Sequence, residues 1–333
     1  MSASVSRASG PSERRNGVLR VGTRGSALAV AQTTAVSEAI AKATGLDVEL
    51  VTVTTHGDTS RDSLADLGGT GVFATALRDA LLADECDLIV HSLKDLPTGD
   101  YPGLVIGAVP KRADARDTLC ARDGLTLETL PEGARVGTGS PRRVAQLKAK
   151  RPDLEVVDIR GNVDTRLGRV AEGDLDAVVL AAAGLGRLGR SDSVTESFPL
   201  SEVPTAPGQG ALAIEVRAGD ETRHGPIAKA LSAVDHATTR ACVTAERTVL
   251  AGLEAGCAAP IGATAIIDDG LLFLTATVYR PDGTEQLTAS HAATPDSLSR
   301  NDLAAAARDV GDRVVAELLG AGAAGLAPLG SAR

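Results

Sequence analysis

Three times along this chain a short apolar strand runs through a polar, glycine-bearing turn into a helix, and each time arginine stands at the junction. The stretches are VGTRGS at 21–26, VGTGSPRR at 136–143 and DIRGN at 158–162. Near-continuous apolar strands need cover on both faces, so strands that alternate with helices predict α/β layers. The likeness of the first two stretches predicts two similar α/β domains. In the second, a helix is expected from Pro141 with Ser140 as its cap. Its first turn carries unpaired N–H groups and the positive end of the helix dipole, yet Arg142 and Arg143 stand there, where acidic side chains are favoured. Guanidinium groups on an electropositive terminus suit an arriving carboxylate or phosphate. The third stretch repeats the device, with a strand ending at Arg160, a Gly161 turn, an Asn162 cap and a helix carrying Arg166. Together they read as one anion receptor; the alternative is solvated surface charge.

The 333 residues predict two or three domains. The net charge of −9 argues against nucleic acid as a partner, so an arginine-lined site must be a local pocket for a small anion. With three Phe, two Tyr and no Trp, the core must be aliphatic and base-stacking platforms are not expected. Cys86, Cys120, Cys242 and Cys257 show no CxxC pair and no histidine spaced as a partner ligand, so neither a metal site nor a disulfide framework is indicated. Residues 1–17 lack an apolar signal core and no run approaches membrane-spanning length. A disordered tail, a cytoplasmic location and no membrane partner are therefore expected, with an organelle transit peptide as the other reading of the tail; a monomer is expected too, although the residues themselves leave the oligomeric state open.

In chain order, a strand over 18–23 leads through Arg24 and Ser26 into a helix to Ala43. A second strand over 48–55 precedes a glycine-rich loop over 56–71, read as a mobile flap or a plain surface excursion. An apolar strand over 87–91 ends in HSLKDLP. Lys94 and Asp95 thus fall at the carboxyl end of a buried strand, where open α/β sheets hold ligands, although Asp95 also suits a turn ahead of Pro97. The segment PKRADAR at 110–116 reads as the passage into a second domain, and VPTAPGQGALAIEVR at 203–217, containing Gln209, as the return, which predicts paired linkers and a cleft between lobes. Arg187 follows another buried strand, over 176–181. The expected division is domain 1 over 18–112 and 211–233, domain 2 over 113–210, and an α+β domain over 236–333. Within the last, Cys257 lies on the small-residue turn EAGCAAPIG, an accessible thiol open to a nucleophilic or a structural reading.

These motifs carry a resemblance. VGTRGSALA at 21–29, LGGTGVF at 67–73, VHSLKDLP at 90–97, GTGSPRR at 137–143, RGNVDTRL at 160–167, LAAAGLGRLG at 180–189, PGQGA at 207–211 and EAGCAAPIG at 254–262 resemble the porphobilinogen deaminase family from about Val18 to the final helix. The resemblance implies two lobes similar to those of type II periplasmic binding proteins plus a smaller C-terminal α+β domain. It implies an enzyme of tetrapyrrole synthesis that condenses four porphobilinogen units with loss of ammonia, then releases the chain with water. By the same resemblance a dipyrromethane cofactor is joined by a thioether to Cys257. Lys94, Ser140, Arg142, Arg143 and Arg187 hold cofactor carboxylates, Arg24, Ser26, Arg160, Arg166 and Gln209 hold substrate, and Asp95 is the catalytic carboxylate. No metal is implied. Each pyrrole bears an acetate and a propionate, so a growing chain is a polyanion that matches the arginine supply.

Thr70 stands where many relatives carry lysine, Gly25 and Ala258 where they carry glutamine, and Ala255 where they carry glycine; Phe73 is implied as a ring contact or a core residue. Two rival readings are a two-lobed anion-binding or effector-sensing module without catalysis, and a phosphate-ester enzyme. The first has no use for Asp95 and Cys257 together, and the second lacks a Walker-type lysine or a metal cluster.

Overall fold

The strand-to-helix joins build the sheets. The computed structural model describes residues 3–8, 12–53, 72–256, 259–327 and 329. Contacts gather the chain into two compact units, Met1–Arg112 with Ala211–Arg240, and Ala113–Gly210 with Ala241–Arg333. The first unit contains β1 (Val5–Arg7), β2 (Val18–Arg24), β3 (Asp47–Val53), β4 (Leu88–Ser92) and β5 (Leu104–Ala108). The second contains β6 (Asp117–Ala121), β7 (Arg135–Gly137), β8 (Glu155–Val157), β9 (Ala177–Ala181) and β10 (Glu196–Ser197), after which β11 (Leu212–Arg217) again belongs to the first.

The two α/β sheets share a plan. The first has the order β1-β3-β2-β4-β11-β5, with β1, β3, β2 and β4 parallel and β11 antiparallel to both its neighbours. The second has the order β10-β6-β9-β7-β8, with β8, β7 and β9 parallel and β6 antiparallel to β9. The series β3-β2-β4-β11 and β8-β7-β9-β6 therefore match strand for strand in direction, as the repeated motif predicts.

Packing explains why that motif reads Val-Gly-Thr twice. A Cβ on Gly22 would lie 2.7 Å from Ile89 Cγ2 and 2.9 Å from Cys86 Sγ, and one on Gly137 would lie 2.7 Å from Leu175 Cδ1 and 2.9 Å from Ile159 Cδ1. Each glycine admits neighbouring core side chains against the strand backbone. The threonines after them, Thr23 and Thr138, are fully buried, and Thr23 shares a 2.8 Å bond with Thr33 of the helix Ala27–Thr44.

A smaller α+β element ends the chain. β12 (Ile261–Asp268), β13 (Leu271–Tyr279) and β14 (Gln286–Ala293) form an antiparallel meander, and the helix Arg300–Gly320 covers it with a buried stripe of Leu303, Ala307, Val310, Val314 and Leu318. The spacing of that stripe is the amphipathic pattern of a helix with one face on a core.

Three expectations change. The tail over 1–17 is not featureless, because β1 pairs in parallel with β3 and Ser4 gives both its backbone N–H and its hydroxyl to Asp47 Oδ1 at 2.8 Å. The strand expected to reach Arg160 stops at Val157, whose carbonyl takes the N–H of Thr138. Ser140 occupies the cap position of the helix Pro141–Lys150 but makes no side-chain capping bond, whereas Ser26 and Asn162 accept from Ala29 and Thr165 as expected. The loop over 56–71 and Cys257 lie outside the described residues, as does the side chain of Phe73.

Candidate active site

In the first unit, four of the residues singled out from sequence come together. Arg24 ends β2, Ser26 caps the helix Ala27–Thr44, and Lys94 and Asp95 lie on the short 3-10 turn Leu93–Asp95 that follows β4. All four line one hollow of about 120 Å³, with Gln32, His91 and Ser92 completing its polar wall. Because β2 and β4 are parallel neighbours, their carboxyl ends open on the same edge of the sheet. The Asp95 carboxylate is exposed there, while Leu93 and Leu96 on either side are buried and anchor the turn.

Behind the hollow lies a buried polar group that periodicity alone does not reveal. Glu215 of β11, 3% exposed, takes a forked pair of bonds from Arg78 at 2.9 and 2.8 Å, and His91 Nε2 stands 3.0 Å from its Oε2. The Arg78 guanidinium also lies 4.4 Å over the Tyr101 ring, a cation–π contact. Burial acts to raise the Glu215 pKa, but His91 and Arg78 outweigh it and bring it down to about 2. A carboxylate lowered in this way stabilises the fold above its unfolded value near 4.5 and loses that contribution as pH falls toward 2. Glu215→Gln should therefore be less stable than the parent at pH 7 and should show a shallower loss between pH 4.5 and 2, followed by urea denaturation; parallel curves in that window contradict it.

In the second unit the arginines are not open at a helix terminus. Arg142 and Arg143 are 2% and 7% exposed, and both turn to Asp117, which is 1% exposed. Arg142 Nη1 lies 2.8 Å from Asp117 Oδ2, and Arg143 donates to Oδ1 from Nη2 at 2.6 Å and from Nε at 3.1 Å. Gln209, expected to face substrate, is fully buried and donates to the same Oδ1 and to the Ala115 carbonyl at 2.8 Å each. The anion that resolves the unfavourable first turn is thus resident in the protein. Burial acts to raise the Asp117 pKa, and the two arginines hold it far below the carboxylate range; Arg142 is drawn down by burial against the pull of Asp117.

One carboxylate between two guanidinium groups leaves a positive excess, and more arginine gathers near it. Arg166 is drawn down by burial and by the charges of Arg143 and Arg160, with Asp158 partly offsetting them. It donates from Nε to the Gly161 carbonyl at 2.9 Å, and Arg160 stands 3.6 Å from Asp158. Arg187 is drawn down by burial and donates to the Gly210 carbonyl at 2.8 Å, next to Gln209. Like charges brought together under partial burial work against the fold unless an anion joins them, so this cluster of the second unit has the character of a polyanion receptor. Asp117, His91, Glu215 and Gln32 were not singled out from sequence. Among the described residues no cluster of His, Cys, Asp or Glu is arranged to hold a metal ion, and no helix is long and apolar enough to cross a membrane.

Comparison with known proteins adds independent findings. The family model described as porphobilinogen deaminase, dipyromethane cofactor binding domain, matches residues 19–224, and that of the porphobilinogen deaminase C-terminal domain matches residues 240–320. The chain is similar to porphobilinogen deaminase of Leifsonia xyli subsp. xyli, with 78% identity over 320 residues, 96% of this chain and 97% of that protein. It is also similar to that of Thermobifida fusca, with 58% identity over 276 residues, 83% of this chain and 85% of the relative. Among solved structures, a methionine-binding protein, MetQ, aligns over 65% of this chain and 89% of its own at 12% identity, with a TM-score of 0.43.

Proposed function

Because the chain belongs to the porphobilinogen deaminase family, we propose that the hollow holding Arg24, Ser26, Lys94 and Asp95 is where its substrate reacts. The enzyme is a hydroxymethylbilane synthase of tetrapyrrole biosynthesis. It condenses four porphobilinogen molecules with loss of ammonia on a dipyrromethane cofactor, and water releases hydroxymethylbilane. The observation that carries the reading is the convergence of those four residues, from two separated stretches of chain, on one hollow.

The donor set fits a cofactor that bears several carboxylates: Arg166 is close enough to feel the charges of both Arg143 and Arg160. In this reading Cys257 holds the dipyrromethane through a thioether, and Lys94, Ser140, Arg143 and Arg187 hold it in place. When bound, it supplies the carbon nucleophile on which the chain grows. Arg142 is too deeply buried to touch a ligand freely, so its part is to fix Asp117 and with it Arg143. Gln209 acts likewise, through Asp117.

Arg24, Ser26, Arg160 and Arg166 bind substrate carboxylates. Asp95 faces the pyrrole N–H: as ammonia leaves, positive charge builds on the ring nitrogen, and a fixed carboxylate beside it stabilises that charge and accepts or returns its proton. The proposal extends to three domains, over 18–112 with 211–233, over 113–210 and over 236–333, and to a monomer acting in the cytoplasm. In support of that compartment, the described cysteines Cys86, Cys120 and Cys242 are buried and form no disulfide with one another.

Arg24→Leu tests the substrate assignment. Its KM for porphobilinogen should rise on the order of tenfold or more, the scale of a lost charge-assisted hydrogen bond. An unchanged KM removes Arg24 from substrate binding.

A further inference from the structure

His91 lines the hollow yet has no task in the reading above, on which the following rests. It lies on β4, three residues before Lys94, and is 8% exposed. Its Nε2 stands 3.0 Å from Glu215 Oε2, and the same carboxylate is gripped by Arg78 at 2.9 and 2.8 Å. A buried carboxylate in an arginine fork is ionised and only accepts hydrogen bonds, and Nε2 meets it as a close polar contact that falls short of hydrogen-bond alignment. With Nε2 turned to Glu215, Nδ1 is left for what enters the hollow. If that is a second carboxylate, each ring nitrogen of His91 faces an anionic acceptor, one from the protein and one from the ligand. Porphobilinogen brings two carboxylates of its own, an acetate and a propionate.

We propose that His91 is a substrate-binding residue of this site: anchored by Glu215, it donates from Nδ1 to one carboxylate of the incoming porphobilinogen. No bond of the substrate is made or broken by this residue. The arrangement selects acidic pyrroles, because a neutral ring substituent at the same place leaves the buried pair without its third partner.

Two measurements test this. In steady state, His91→Asn should raise KM for porphobilinogen about tenfold while kcat stays within about twofold, the pattern of lost binding in ground and transition state alike. A fall in kcat with KM unchanged overturns the proposal. The second measurement uses the unsubstituted protein, so it does not depend on a variant folding. Nitrogen-15 spectra of the imidazole rings are recorded before and after adding a pyrrole with acetate and propionate side chains but no aminomethyl group, which cannot react. His91 Nδ1 should take on N–H character when this probe binds. Should the probe move the backbone signals of Ser26 and Lys94 and leave the His91 ring unchanged, the proposal falls while the hollow remains the substrate site. Should it move none of them, both fall.

Discussion

Asp95→Ala should retain the covalent dipyrromethane and lose turnover by about a hundredfold or more, the usual effect of deleting one preorganised electrostatic partner of a charged transition state. The residue is exposed at the mouth of the hollow, on a 3-10 turn held by buried Leu93 and Leu96, so its removal leaves no cavity and no orphaned core group. The deficit should therefore appear in kcat, with the melting temperature close to that of the parent. Asp95→Asn should be almost as slow, since it keeps the shape and removes the charge. Steady-state kinetics with porphobilinogen, alongside a mass measurement confirming that the cofactor is present, checks this. Retention of a substantial share of the parent rate by the alanine variant contradicts the role of Asp95.

The second large effect is on stability. Asp117→Ala should cost about 3–5 kcal/mol, because it strands two buried guanidinium groups that share one carboxylate. The loss extends beyond the pair. Gln209 gives up its bond to Oδ1, and Arg143 keeps only its bond to the Val179 carbonyl and its 3.5 Å approach to Gln209. Denaturant unfolding should show a lower midpoint, and a variant that still folds should bind its cofactor less firmly, since Arg143 is no longer held in place. A loss below about 1 kcal/mol would mean that the cluster is solvated and that Asp117 is not its keystone.

Much of the reacting hollow could be read from sequence because a simple rule governs it: polar residues just past the carboxyl end of a buried parallel strand sit where α/β sheets hold ligands. That rule marks Arg24, Ser26, Lys94 and Asp95, and the repeated Val-Gly-Thr marks the two similar sheets. The rule fails where partners meet across a sheet. Arg142 and Arg143 announce themselves as misplaced cations, but Asp117 lies 26 residues before Arg143, at the head of an adjacent segment, and only strand order brings it beneath the helix. Gln209 misleads for the same reason, since a polar residue in a Pro-Gly loop looks available to a ligand while its amide is committed to Asp117 and the Ala115 carbonyl. His91 and Glu215 occupy strands so apolar that each passes for an isolated exception, and their pairing becomes visible only from the register that sets β11 beside β4. Strand β1 was hidden by composition, because three residues with one valine gain order from pairing with β3 rather than from any pattern of their own.

The chemistry depends on a cofactor tethered to one sulfur and held by a cluster of arginines. The measurement that bears on this most directly is the intact mass of the purified protein beside that of Cys257→Ser. The parent should exceed its sequence mass by one dipyrromethane unit, and the serine variant should match its sequence mass and be inactive. A parent that carries nothing, or a serine variant that carries the same added mass, contradicts the assignment of Cys257 and with it the course proposed for the reaction.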